Sequence, residues 1–515
     1  MIFPSGVMCC RGVMNHAPTN ASITKVCYQI GIVGFAYAPA LQFMKGMLSS
    51  TFMPFDIQSL IHARLGENYD LHDRYVNRAF VKVLRTIGFD RVYARAQGAY
   101  LYDQDGMDYL DSLGGYGALN IGRNHPVVKK ALADLLALDM PNMVQMDCSL
   151  LSGILAEALV KRSPPHLNAV FLCNSGTEAV EGAIKFARCA TGREKFLYCS
   201  GAFHGLTTGA LALNGSSMFR EGFGTLLPGN AITLDDFDGL ERELATGEYA
   251  GFILEPVQGK GVYYPESDLF WPRAQELCRK FGTLLIADEV QTGLGRTGRF
   301  YGFEHWALEP DIVPLAKSLS GGLVPCGAIL TRRGIYDKIF SRMDRCVVHS
   351  TTFGRNNLAM TTALATLQVM DDEHVIENSE RMGKALADGL RALMDKHEFI
   401  HEVRGKGLML AVEFSEPKSL RLRAAWKLIE AAGKGLFAQM VVIPMFKKHR
   451  ILTQVAGHHM DVIKITPPLI IGQKEVDRMI AGFDQTLADC YKFPGAMWDM
   501  GANLVRASLA ARKAA

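Results

Sequence analysis

The chain has 515 residues, 49% of them hydrophobic and 21% charged, with a formal net charge of +3. That length is ample for a large core and suggests two to four domains, and so small a charge gives no reason to expect nucleic acid or an acidic membrane surface as a partner. The 11 cysteines are odd in number and, apart from Cys9 and Cys10, scattered without a C-x-x-C pair, which argues against a disulfide framework or a metal knuckle and for reduced thiols in a cytoplasmic protein.

Taken in chain order, the first stretch is the least regular. Ile30 to Leu41 is apolar, but Pro39 interrupts it and it is too short to form a stable membrane span. Lys25 precedes it as in a signal peptide, yet no small-residue cleavage site follows. The expectation is an extension over residues 1–52, read from an early start codon, with Met44, Met47 and Met53 as alternative starts. Tyr100–Asp103 and Asp108–Leu113 form a predicted hairpin around Asp105-Gly106. Pro126 to Ala137, with proline in its first turn, and Leu151 to Arg162 are predicted helices. A short buried strand at Ala169–Cys173 leads into a helix over Thr177 to Ala190. Phe196–Cys199, Gly251–Glu255, Leu284–Ala287, Asp311–Leu315 and Cys326–Leu330 are predicted strands separated by helical segments, a pattern of α/β type with a mainly parallel, covered sheet. Asn357 to Met370 and Val375 to Lys396 are predicted helices. The acidic run Asp371-Asp372-Glu373 marks a boundary to a smaller α+β domain. The divisions expected are 53–120 for the N-terminal part of the small domain, 121–370 for the large domain, 371–490 for the C-terminal small domain and 491–515 for a tail.

Several strand ends carry residues suited to chemistry. Asn174-Ser175-Gly176-Thr177-Glu178 joins a strand to a helix whose N-terminus offers unpaired N–H groups to an anion such as phosphate; a plain helix cap by Ser175 or Thr177 explains the same residues. Leu284 to Glu289 delivers Asp288 at a strand's carboxyl end, where open α/β sheets bind ligands. A buried carboxylate there wants a cation, and a protonated pyridine nitrogen is a good one; the plainer alternative is an aspartate capping the next turn. Asp311 to Ser318 ends a strand with Lys317, which desolvation would free for Schiff-base chemistry, although a lone lysine is more often a surface residue. Phe203-His204-Gly205 offers a ring on which a flat heteroaromatic group could stack. Glu255, in Glu255-Pro256-Val257-Gln258-Gly259, could anchor a substrate amine or pair with a cation. Tyr116, Met140 and Met143 belong either to the core or to an apolar channel. Pro314, which lacks a ladder donor, suits an edge strand or a bulge.

In this order the motifs resemble the class III aminotransferases of the fold-type I pyridoxal-phosphate (PLP) enzymes. The likeness covers about residues 75 to 485. It rests on the Asn174–Glu178 run, Phe203-His204-Gly205, Glu255-Pro256, Asp288-Glu289-Val290-Gln291-Thr292-Gly293 with Gly295-Arg296-Thr297-Gly298, Lys317 placed 29 positions after Asp288, His349 to Gly354, and Pro467-Pro468-Leu469. Within the class the chain looks most like putrescine aminotransferases and their relatives, through Asp111 to Gly117 and Ser200 to Gly205.

The resemblance implies that Lys317 and Asp288 are catalytic, with Lys317 binding PLP as a Schiff base and shuttling protons, and Asp288 keeping the pyridine nitrogen protonated. It implies that Phe203 stacks on the ring beside His204, that Gln291 lies near the ring oxygen, and that Ser175, Gly176 and Thr177 cup the phosphate. Thr352 would reach the phosphate of a neighbouring subunit, so a homodimer with shared active sites is implied. Two departures bear on substrate. Arg355 stands where the family usually has glycine, and Lys464 stands where an arginine usually grips the donor's α-carboxylate; a lysine cannot do so bidentately. The expected activity is transamination between an amine donor of diamine, omega-amino or long-chain type and a keto acid, aldehyde or ketone, with Glu255, Lys464 and Arg355 as candidate substrate residues. A PLP-dependent aminomutase or decarboxylase on the same fold, and a scaffold without catalysis, are the alternatives.

Overall fold

The computed structural model describes residues 55–457, 460–492 and 495–514; the expected extension over 1–52, with its alternative starts, lies outside them. The described residues divide into two units, 55–65 and the residues from 66 onward. In the first, helix α1 (Ile57–Arg64) is capped by Asp56, whose carboxylate accepts from the amides of Gln58 and Ser59.

The second unit opens with α2 (Asn68–Tyr75) and α3 (Arg78–Ile87). Asn77 caps α3 by accepting from the Phe80 amide at 3.0 Å, and Gly88, at φ 74°, ends it. Helix α3 is strongly two-faced, yet only Val81 is buried, while Phe80 and Val83 are 54% and 53% exposed. Strands β1 (Tyr93–Gln97), β2 (Tyr100–Asp103) and β3 (Asp108–Asp111) form an antiparallel meander. The expected hairpin turn is present. The Asp103 carboxylate accepts from the amides of Asp105 and Met107, and Gly106 takes the left-handed conformation the turn requires.

Next come the helices α4 (Pro126–Ala137) and α5 (Leu150–Lys161), then a seven-stranded sheet. Its strands are β4 (Ala169–Cys173), β5 (Lys195–Cys199), β6 (Gly229–Ile232), β7 (Tyr249–Leu254), β8 (Leu284–Ala287), β9 (Ile312–Leu315) and β10 (Gly327–Thr331), in the order β4-β10-β9-β8-β7-β5-β6. From β9 to β6 every pairing is parallel, and β10 runs antiparallel to both its neighbours. Helix α6 (Gly176–Thr191) covers one face with Val180, Ile184 and Phe186; each such side chain contributes about 1.5–3 kcal/mol on burial. Strand β6 was not expected, because its Gly-Asn-Ala-Ile sequence has little strand propensity and it owes its form to pairing at the sheet edge. The expected edge or bulge position for Pro314 is corrected. It lies inside the sheet between β8 and β10, where β8 and β9 share a single paired position at Ile286 and Ile312. Its missing donor therefore costs little, and its carbonyl still accepts from the Glu289 amide at 3.1 Å.

After α7 (Asn357–Asp372) and α8 (Val375–Ala392) the chain builds a third sheet, ordered β11-β12-β15-β14. It contains β11 (Ile400–Lys406), β12 (Met409–Phe414), β14 (Gln454–Val455) and β15 (Val462–Ile465), while the short β13 (Ile451–Leu452) crosses to pair in parallel with β3. Helices α9 (Leu436–Lys447) and α10 (Gln473–Cys490) accompany it, and Met497 and Trp498 of a last helix, Ala496–Ala514, are buried. Among the described residues no single helix is long and apolar enough to cross a membrane.

Arg296 ties these parts together. Its side chain is wholly buried and donates to the carbonyls of Leu408 and Pro467 and to Asn120 Oδ1 at 2.9, 2.5 and 2.6 Å. Burial pulls its pKa down to about 9. Arg296→Met should leave three buried acceptors unpaired and cost about 3 kcal/mol or more. Guanidinium denaturation checks this, and an unchanged midpoint would show that the arginine is dispensable to the fold.

Candidate functional site

Three neighbouring parallel strands end on the same side of the large sheet, and each end carries an ionisable residue. Glu255 follows β7, Asp288 follows β8, and Lys317 lies just past β9. The parallel direction of β7, β8 and β9 brings together residues far apart in sequence, as the switch-point rule for such sheets expects.

Asp288 is 4% exposed. One carboxylate oxygen lies 2.7 Å from Nδ1 of His204, which is itself 3% exposed, and the other accepts from the Val290 amide at 3.0 Å. The turn-capping contact and the buried charge are thus both present. His204 is oriented in turn, since its amide donates to Asn214 Oδ1 at 2.7 Å while Asn214 Nδ2 donates to the Gly205 carbonyl at 2.8 Å. The His204 Nε2 atom is buried and has no hydrogen-bond partner among the described residues.

Lys317 is the first residue of a 3-10 turn, Lys317–Ser320, and its φ is 47°. A side chain in left-handed backbone costs about 1–2 kcal/mol, a strain that a surface lysine has no reason to carry. Burial holds the Lys317 pKa below the usual lysine range, against the attraction of Asp288 and Glu255, and Lys260 lowers it further.

Glu255 is fixed by the chain itself, accepting from the amides of Phe203 at 2.9 Å and Gly259 at 2.6 Å. Its carboxyl pKa is raised, by burial first; nearby His204 opposes the rise and Asp288 adds to it. Gln291 donates to the Tyr116 carbonyl at 2.5 Å and accepts from Lys464 Nζ at 2.8 Å. Lys464 is 4% exposed and also donates to the Gly259 carbonyl at 2.7 Å. Its ammonium thus braces the loops after β7 and β8, and burial, with Lys317 nearby, drives its pKa well below the ordinary value.

The helix start beside this cluster suits an anion. Ser175 caps α6, its Oγ accepting from the Glu178 amide at 3.2 Å, so that side chain is already engaged. The first-turn amides of Gly176 and Thr177 have no acceptor inside the helix. Thr177 Oγ1 lies 2.7 Å from Thr207 Oγ1. Gly205 presses the His204 loop against this turn: a Cβ there would come within 2.5 Å of Thr177 Oγ1, and its φ of 123° disfavours any side chain. Phe203 is half-buried, edge-on to Phe219 with ring centroids 5.2 Å apart.

Thr352 and Arg355 lie elsewhere. Both are exposed, and they line a separate cavity of about 190 Å³ with Met140, Met143 and Asn357. Tyr116 lines a different and larger cavity of about 580 Å³. A single channel through Tyr116, Met140 and Met143 is therefore corrected: helix α7 and the loop before α5 hold the two methionines in another place. Sequence reasoning missed Lys260, Thr207 and Asn214. Lys260 had a signal, as a charged residue directly after the glycine of Glu255–Gly259; Thr207 and Asn214 had none, because only folding brings them to Thr177 and His204.

Residues 85–487 match the family described as Aminotransferase class-III. Aminotransferase PigE of Serratia sp. (strain ATCC 39006) is 33% identical over 449 residues, covering 81% of this chain and 53% of the relative. The chain thus spans about half the length of that curated relative. The ornithine aminotransferase of Toxoplasma gondii superposes with a TM-score of 0.73 at 30% identity, over 85% of this chain and 100% of that one. An omega transaminase from Pseudomonas jessenii in complex with PMP gives a TM-score of 0.71 at 26% identity, over 82% and 97%. With its strand-end carboxylates and lysine set on this sheet, the chain belongs to the class III aminotransferases and has the fold-type I architecture.

Proposed function

We propose that this aminotransferase takes its amino group from a donor whose amine is not gripped through an α-carboxylate, such as a diamine, an omega-amino compound or a longer alkyl amine, and passes it to a keto acid, aldehyde or ketone. The observation that carries the reading is the engagement of Lys464. At the position where an arginine would meet an α-carboxylate, its ammonium is committed to Gly259 and Gln291.

The family's cofactor is pyridoxal 5'-phosphate, and the donor set of this chain fits it. The buried Asp288 carboxylate suits a protonated ring nitrogen, Phe203 a planar ring, and the first turn of α6 with Thr177 a phosphate. Bound there, the cofactor supplies an aldehyde and an electron-withdrawing ring. Lys317 is the amine that would hold that aldehyde; once displaced by the incoming amine, its Nζ would take the proton from the donor's amine-bearing carbon and deliver it to the former aldehyde carbon. Asp288, fixed by His204, holds the ring proton. Glu255 and Gln291 keep the loops around the reacting carbon in place.

The proposed working unit is a homodimer in the cytoplasm, with Thr352 of each chain completing the phosphate site of the other. The position of Thr352 in a cavity apart from Lys317 supports this, as do the exposed apolar residues around it, Val144 at 51%, Leu150 at 68% and Phe353 at 61%. Among the described cysteines all are free. The proposed domain division keeps 121–370 as the cofactor domain and 53–120 with 371–490 as the smaller one.

The experiment is a half-reaction followed by absorbance, with putrescine, alanine and hexylamine in turn. The amines should bleach the cofactor band faster than alanine; bleaching by alanine alone would overturn the donor assignment, and loss of carbon dioxide without a keto product would favour a decarboxylase. Lys317→Ala should lower the rate by about 10²–10⁴-fold or more, and Asp288→Asn by about 10²–10³-fold, as expected when one member of a buried charged pair is lost. Thr352→Ala should weaken PLP binding about tenfold or more, the worth of one hydrogen bond to a charged group, with sedimentation reporting two copies. A monomer with full activity would sink the shared site.

A further inference from the structure

Beside the reactive cluster lies the cavity of about 580 Å³, a size typical of small-molecule sites. Its walls are apolar, with Val83, Leu84 and Ile87 of α3 on one side and Val442, Leu452 and Val455 on the other. The surface that α3 leaves out of the core therefore faces this space. Tyr116, Phe219 and Lys260 also line it. They tie it to the site: the Tyr116 carbonyl accepts from Gln291, and Phe219 packs against Phe203.

Lys260 is the unusual member. Its ammonium lies 5.1 Å from the centroid of Phe203 and 5.3 Å from that of Phe219. It is half-buried, and among the described residues it makes no ion pair and no hydrogen bond. A partly desolvated cation without a counter-ion is incomplete, and the two rings compensate it only in part. Lys464, by contrast, already donates to Gly259 and Gln291. Glu255 lies near enough to favour the Lys260 charge, and Lys260 near enough to Lys317 to disfavour its charge.

We propose that this cavity with Lys260 is an amphiphile subsite: the hydrocarbon tail of a medium-chain substrate lies between α3 and the β13–β14 segment, and Lys260 holds an oxygen of its carbonyl or carboxylate head beside Lys317. The proposal rests on the transaminase reading and names the substrate class for it. Lys260 is a specificity residue in this account.

The test is calorimetric titration of the PLP-loaded enzyme with butanoate, hexanoate and octanoate, which carry the head and tail but have no amine or ketone to react. Affinity should rise about fourfold per added methylene. Lys260→Met should weaken all three about tenfold or more, and Lys260→Arg should restore binding. Val83→Asp, at a residue 53% exposed in the free protein and so tolerant of substitution, should flatten the chain-length dependence while butanoate still binds. Affinity that is independent of chain length, or equal in Lys260→Met, overturns the proposal. Octanoate binding through Lys260 in an enzyme that transaminates nothing would leave the subsite standing and sink the transaminase reading. Turnover of hexylamine without any octanoate binding would do the reverse.

Discussion

Asp288 carries a negative charge into the interior, and the surrounding structure is arranged to meet the cost. An uncompensated buried carboxylate is penalised by several kcal/mol, and each of the Asp288 oxygens has a partner, one the His204 ring and the other the Val290 amide. The requirement propagates outward. His204 is placed by Asn214, Asn214 by the Gly205 carbonyl, and Gly205 by its close approach to Thr177 at the start of α6. One buried charge thus connects the strand that carries the carboxylate to the helix turn that suits a phosphate, and the spacing between the two ends of the proposed cofactor site follows from a continuous chain of contacts.

Charge balance explains the remainder of the cluster. Three lysines, Lys317, Lys260 and Lys464, stand near two carboxylates, Asp288 and Glu255, and the directions of their pKa shifts reflect this coupling. Lys464 is satisfied by neutral oxygens and acts as a brace. Lys317 is held in strained backbone with a destabilised charge, which suits an amine that must react. Lys260, at the edge of an apolar cavity, has two aromatic rings beside it but no ion pair or hydrogen bond among the described residues, and such an arrangement is completed by an anionic or oxygen-bearing ligand.

The sheet supplies the geometry. Because β7, β8 and β9 are parallel, their carboxyl ends lie side by side, and short loops carry Glu255, Asp288 and Lys317 into one place. Antiparallel β10 closes the other flank, and Arg296 fastens the loop after β8 to the turn between β11 and β12 and to the segment after β15. The three candidate residues therefore sit directly at the ends of core strands, while the cavity beside them is walled by α3, a helix with little core of its own.

Much of this was legible in the sequence, and the reason is local. Strand periodicity, a glycine at a helix start and an acidic or basic residue at a strand end are properties of neighbouring residues, so β4, β8, α6, the hairpin at Asp105-Gly106, and Asp288 and Lys317 as strand-end residues could be read directly. The edge strand β6, interior Pro314 and the antiparallel course of β10 could not, because each depends on which strand lies alongside. The same limit applies to the site. Sequence identified Lys464 as an ill-suited carboxylate ligand, but only the folded chain shows its ammonium bonded to Gly259 and Gln291, Lys260 without an ion pair among the described residues, and Tyr116 parted from Met140 and Met143. Local chemistry is written residue by residue; which charges are compensated and which surfaces meet is decided by contacts between segments hundreds of residues apart.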